Sequence, residues 1–153
     1  MSETEPEELE ADDRHDARKK ILTIDDEPDV LSFLRLALEK SGYQALTAPN
    51  GTEGLIRAHV ERPDLILLDI MMEDMDGWET LRLLKLDESS RDVPVIVLSA
   101  RAETKDKIRA LQEGAIDYIT KPFSMRDSLG KIRAILEHAP ARVPGWGDRK
   151  SVV

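Results

Sequence analysis

The sequence predicts an open α/β fold, a parallel sheet wound with helices on both faces. Three observations carry that expectation. Five short apolar runs alternate with five segments of helical periodicity, the pattern of repeated strand–helix–strand units. One run, Leu65-Ile66-Leu67-Leu68, is unbroken, as in a strand buried on both faces. Chemically active residues stand directly after four of the runs: Asp25-Asp26, Asp69, Ser99 and Lys121. Right-handed crossovers place the carboxyl ends of all the strands on one edge of the sheet, which is where such sheets hold their ligands.

The elements follow in order. Residues 1–18 carry acids from Glu3 to Asp16, with Leu9 the only large apolar residue after Met1. Such a segment buries too little surface to offset its ordering entropy, so a disordered acidic tail is expected. Lys20–Ile24 reads as the first strand. Pro28 suits the first turn of a helix; Val30, Leu31, Leu34, Ala37 and Leu38 give its apolar face, and Gly42 its stop. Tyr43–Ala48 is a weaker second strand. Asn50 to Glu53 resembles a capping box opening a second helix, which Pro63 stops. After the central strand, a third helix runs from Trp78 through Leu81, Leu83 and Leu84.

Val93–Leu98 is the fourth strand, with Pro94 tolerable near its start. Thr104 is the expected N-cap of a fourth helix ending at Gly114. That helix has only Ile108 and Leu111 as large hydrophobes, so a weak hold on the core is predicted. Ile116–Thr120 is the fifth strand. Ser124 with Asp127 caps a fifth helix whose inner face is Leu129, Ile132, Ile135 and Leu136. Gly130, inside it, weakens the helix by up to about 1 kcal/mol relative to alanine. Residues 139–153 contain Pro140, Pro144, Gly145, Trp146 and Gly147 without periodicity and read as a flexible tail. One domain over 19–138 is the expectation.

Composition narrows the function. The 153 residues carry a formal charge of −9, and no basic stripe offers a nucleic-acid footprint. There is no cysteine, which excludes thiol nucleophiles and thiolate metal sites. No apolar run approaches the roughly 18 residues of a membrane span, and the acidic N-terminus lacks the apolar region of a signal peptide. A soluble cytoplasmic protein is the expectation.

The topology gathers Asp25, Asp26, Asp69, Ser99 and Lys121. Three carboxylates in one place repel one another. A hard divalent cation relieves the repulsion, and Mg²⁺ prefers oxygen ligands. A lysine and a hydroxyl opposite the metal suit a phosphoryl group. A carboxylate beside both is a competent nucleophile toward an activated phosphoryl donor.

The paired acids in ILTIDDEPDV, the strand-end acid in LILLDIMMEDMDGWE, the hydroxyl in VIVLSAR and the stretch GAIDYITKPF together resemble the receiver domains of two-component response regulators. The resemblance covers roughly Lys20 to His138. It implies a flavodoxin-like sheet of order 2-1-3-4-5 with five helices. It implies a phosphoacceptor switch of the stand-alone type, not a turnover enzyme, with Asp69 phosphorylated by a sensor histidine kinase or phosphotransfer protein. Asp26 would bind Mg²⁺ directly, Asp25 mainly through a metal-bound water, and the backbone carbonyl of Met71 would be the third ligand. Lys121, joined to Pro122 by a cis peptide, would pair with the aspartate or the phosphoryl oxygens. Ser99 would donate its hydroxyl to the phosphoryl group, and Tyr118 would turn inward as Ser99 moves.

The resemblance also implies an output surface on the fourth helix, fifth strand and fifth helix. There Lys107 with Asp127, and Asp117 with Lys131, would pair across the two-fold axis of a phospho-dependent dimer, while an unnamed downstream protein would be the target. Glu73 stands where relatives often have proline. Met71 and Arg101 flank the site and predict partial shielding of the phosphoryl group from water. Two rival readings are a Mg²⁺-dependent aspartyl phosphohydrolase of the haloacid-dehalogenase type and a metal-blind pseudo-receiver acting as a binding module. The former carries an acid two residues after its nucleophile, where this chain has Met71; the intact acids and Lys121 oppose the latter.

Overall fold

The computed structural model describes residues 17–72, 76–100 and 103–138. Both predicted tails apart from Ala17 and Arg18, and with them Trp146, lie outside the described residues, as do Glu73 and Arg101. Five strands form one parallel sheet: β1 (Lys20–Ile24), β2 (Gln44–Ala48), β3 (Leu65–Asp69), β4 (Val95–Ser99) and β5 (Asp117–Thr120). Their order is β2-β1-β3-β4-β5, as expected. The helices are α1 (Pro28–Lys40), α2 (Gly51–Glu61), α3 (Gly77–Leu86), α4 (Thr104–Gln112) and α5 (Met125–His138). No helix among the described residues is long and apolar enough to cross a membrane.

Strand periodicity divides the core in two. Leu65 and Leu67 of β3 join Ile21, Ile96, Leu98 and Ile119 beneath Leu34 and Leu38 of α1 and Ile132 of α5. Ile66 and Leu68 join Leu22, Ile24, Val95 and Val97 beneath Ala58 of α2, Leu81 and Leu84 of α3 and Ala110 of α4. Every residue of β3 and β4 is buried, so the middle of the sheet is rigid and its carboxyl edge has fixed positions.

The local signals mostly act as read. The Asn50 side chain accepts from the Glu53 N–H at 2.8 Å. Arg62 closes α2 in the left-handed region at φ 52° and turns the chain into Pro63. The Ser124 hydroxyl accepts from the Asp127 N–H at 3.3 Å. The fourth helix differs. Its N-cap is Glu103, which makes no side-chain capping bond, and Thr104 is the first helical residue. Ile108 and Leu111 do not anchor it; they are 49% and 53% exposed. The helix docks on the sheet through Ala110 instead, with the Arg109 guanidinium 4.0 Å from the Trp78 ring centre on α3. Its hold is weaker than the sequence implied, because a methyl group replaces two large side chains.

Gly130 in α5 is exposed, and a Cβ added there meets nothing within 4 Å. Gly130→Ala is therefore expected to raise the unfolding free energy by about 0.5–1 kcal/mol through the glycine's lost chain entropy. Urea denaturation checks this; a fall in stability would show that the position is not open.

Candidate functional site

β1 and β3 are neighbours, while β2 and β4 continue the sheet in opposite directions. The crevice at such a reversal is the natural ligand position, and an acid stands on each side of it. Asp25 follows β1 and donates its N–H to the Ala48 carbonyl at 3.1 Å. Asp69 ends β3, and the next N–H, that of Ile70, reaches the Leu98 carbonyl at 3.0 Å.

The two acids are held alike. Asp25 Oδ1 accepts from the Glu27 N–H at 3.0 Å, and Asp69 Oδ1 accepts from the Met71 N–H at 3.0 Å. These are Asx-type turns. Each leaves Oδ2 to the crevice, where both meet one ammonium: Lys121 Nζ lies 2.9 Å from Asp25 Oδ2 and 3.3 Å from Asp69 Oδ2. Lys121 starts two strands away. Its N–H donates to the Ser99 carbonyl at 2.7 Å, its bond to Pro122 is cis as expected, and its side chain crosses the end of β4.

The electrostatics are severe. The Asp25 and Asp69 side chains are 0% and 3% exposed. Burial pushes the Asp69 carboxyl up to about 6, with the neighbouring Asp25 adding to the rise; the Met71 N–H and the Lys121 charge oppose it. For Lys121 burial acts downward, but the Asp25 hydrogen bond and the charges of Asp25 and Asp69 outweigh it and hold the ammonium above its ordinary value.

Asp25, Asp26, Glu27 and Asp69 can each bring an oxygen within 4.8 Å of the others. Four carboxylates face one ammonium. An all-oxygen donor set with that charge excess suits a hard divalent cation.

The predicted site residues fall into two groups. Asp25, Asp26, Asp69 and Lys121 converge. Ser99 is fully buried at the end of β4, one residue beyond Leu98, the register partner of Asp69. Met71 is half-exposed and flanks the crevice mouth with Asp26, Glu27, Pro28 and Asp29. Tyr118 is already buried against the core. Lys107, Asp127 and Lys131 line a separate cavity of about 300 Å³. Asp117 and Lys131 were expected to pair across a dimer axis; here they pair within one chain at 3.3 Å. Sequence reasoning missed Glu27, whose Oε1 lies 3.2 Å from Lys121 Nζ. The signal was present as a third acid in DDE.

Gly77 is required by contact, not by φ. A Cβ there would stand 2.3 Å from the Ile70 Cα, so the start of α3 packs directly on the backbone that follows Asp69.

The doubly wound sheet of order 2-1-3-4-5, with strand-end acids and a strand-end lysine at one crevice, places the chain among flavodoxin-like α/β proteins. The chain belongs to the response regulator receiver domain family, whose model matches residues 21–133. It is 41% identical over 126 residues to the alkaline phosphatase synthesis transcriptional regulatory protein PhoP of Bacillus subtilis, covering 82% of this chain and 52% of that one. It is 41% identical over 135 residues to the phosphate regulon transcriptional regulatory protein PhoB of Pseudomonas aeruginosa, covering 88% and 57%. The chain thus spans about half the length of these curated relatives. Among solved structures, a two-component response regulator from Clostridium difficile superposes with a TM-score of 0.76 at 28% identity, covering 81% of this chain and 100% of that one. A CheY-like receiver domain protein from Methanospirillum hungatei gives 0.74 at 33%, covering 80% and 97%.

The raised Asp69 value has a consequence for stability. The folded state binds a proton more readily than the unfolded chain between about pH 4 and pH 6, so stability falls as pH rises through that window. Asp69→Asn removes the deficit. In metal-free buffer at pH 7 it is expected to raise the unfolding free energy by an amount on the order of 2–3 kcal/mol, with the gain vanishing toward pH 4. Urea titrations across that range check the sign; a destabilised variant at pH 7 would contradict it.

Proposed function

We propose that Asp69 accepts a phosphoryl group from a phosphohistidine on a sensor kinase or phosphotransfer protein, with Mg²⁺ held at the acid cluster. The signal then leaves through the α4–β5–α5 face. The observation that carries this reading is the meeting of Asp25, Asp69 and Lys121 within ion-pair distance although 96 and 52 positions separate the lysine from the two acids.

Asp25, Asp26, Asp69 and the Met71 carbonyl would hold the ion, which neutralises the acids and draws charge from the phosphoryl oxygens when bound. Asp69 Oδ2 attacks phosphorus as the phosphorus–nitrogen bond to the imidazole breaks. The bond's electron pair stays on the departing nitrogen, and a new oxygen–phosphorus bond forms. Oδ1, tied to the Met71 N–H, fixes the carboxylate plane during attack. Lys121 donates to a phosphoryl oxygen, and Ser99 donates its hydroxyl to another. Met71 at the mouth shields the product from water.

The transferred group adds about two negative charges. Drawing Ser99 and Lys121 toward them pulls on the ends of β4 and β5. α4 is the element best able to respond, because Ala110 and Asp106 are its only buried residues. Ile108, Leu111 and Ile116 are about half exposed near this face, which supports its use as a docking surface. A dimer there must first open the Lys131–Asp117 pair within each chain, so its paired charges add little net affinity.

Acetyl phosphate with Mg²⁺ is expected to add one phosphoryl group, located to Asp69 by mass spectrometry of the intact and digested protein. The group should be absent with EDTA and in Asp69→Ala. Modification at another residue, or none, would overturn the reading. In the same assay Ser99→Ala should bind Mg²⁺ like the parent yet lose the phospho-dependent chemical-shift changes around Tyr118; equal shifts in both proteins would refute its role in the switch.

A further inference from the structure

Lys121 has three N–H donors, and three carboxylates take them: Asp25 at 2.9 Å, Glu27 at 3.2 Å and Asp69 at 3.3 Å. A phosphoryl oxygen arriving on Asp69 needs one of those donors, so one partner must yield. Asp25 cannot yield cheaply. Its side chain is fully buried, so water cannot take the place of the lysine beside it, and a buried acid gives up a hydrogen-bond partner at a cost. Glu27 can, because its side chain is 62% exposed and water replaces the lysine.

The placement of Glu27 fits that exchange. It is the N-cap residue of α1, yet its carboxylate makes no capping bond there. Glutamate is not among the favoured N-caps, and this one spends its oxygen on Lys121 instead. Its backbone is pinned by the bond from its N–H to Asp25 Oδ1, so the side chain swings while the helix start stays fixed. The incoming phosphoryl charge of about −2 repels a carboxylate at this distance.

Resting on the phosphoacceptor reading of Asp69, we infer that Glu27 is a positioning residue that occupies the third Lys121 donor before transfer and surrenders it to a phosphoryl oxygen. Glu27 thereby restrains phosphorylation, and its carboxylate swings out into the mouth formed with Asp26, Pro28, Asp29 and Met71 only in the phosphorylated state.

Three variants test this. Glu27→Gln removes the charge. Glu27→Asp keeps the charge but is one methylene too short to hold the lysine. Asp29→Asn removes a charge from the same mouth and serves as the control. At saturating Mg²⁺, acetyl phosphate should modify both Glu27 variants roughly 2- to 5-fold faster than the parent, the equivalent of one exposed ion pair, whereas Asp29→Asn stays near the parent. In EDTA, the Lys121 ammonium correlation, observed by nitrogen-15 NMR, should be protected from exchange in the parent and broadened in both Glu27 variants.

Glu27→Asp at the parental rate, or Asp29→Asn as fast as Glu27→Gln, would reduce the effect to charge alone and overturn the inference. A tenfold or greater loss of Mg²⁺ affinity in Glu27→Gln would make Glu27 a metal ligand and also overturn it. A parent that takes no phosphoryl group, while its ammonium signal still responds to Glu27, would overturn the reading of Asp69 and leave the contact standing.

Discussion

The structure depends on one ammonium group lodged among carboxylates at the carboxyl edge of the sheet. Asp25 and Asp69 are buried at the ends of adjacent strands, and Lys121 reaches them from the end of β5, two strands from β3 and three from β1. Burial takes water from the Asp69 carboxyl and the nearby Asp25 charge adds to the strain, so its value is pushed up to about 6. One lysine does not balance four nearby acids. The site is held in this state by the aliphatic layers on both faces, which fix the strand ends and the two Asx turns that aim the carboxylates. Stability of the core is what allows a crevice that would otherwise expand.

On the function proposed above, the same crowding would prepare the crevice for a divalent cation and a phosphoryl group. Either changes the charge balance, and the response is channelled by which elements are free to move. β3 and β4 are buried along their whole length, so close packing on both faces leaves them little room to shift. α4 rests on the sheet through Ala110 and leans sideways on Trp78 through Arg109. Switching elements are drawn from the least anchored parts of a fold, and α4 is one of these. The lysine couples the two ends of the system, because it stands next to β5 and pairs with acids of β1 and β3.

Most of this was legible in the sequence. Unbroken apolar runs mark buried parallel strands, and an acid, hydroxyl or lysine directly after each run marks the edge where a doubly wound sheet works. The strand order followed from the resemblance that those residues carry. Strand starts moved inward by one or two residues, to Gln44, Val95 and Asp117, because ladder pairing and not hydropathy sets them. What could not be read was three-dimensional choice. Two hydrophobes three positions apart, Ile108 and Leu111, do not say which side of a helix faces the sheet, and they face out. A third acid at a helix start looks like a cap or a surface residue, so Glu27 went unassigned. Whether Lys131 pairs within the chain or across an interface depends on the reach of a side chain, which spacing does not give.

Mg²⁺ titration of the unfolding free energy, in the parent and in the double variant Asp25→Asn/Asp26→Asn, tests the charge-relief mechanism most directly. Binding to the folded state alone adds stability that grows with the logarithm of free Mg²⁺ once the site fills. That mechanism predicts such a rise in the parent and a flat line in the double variant. A parent indifferent to Mg²⁺, or a double variant that responds equally, would contradict it.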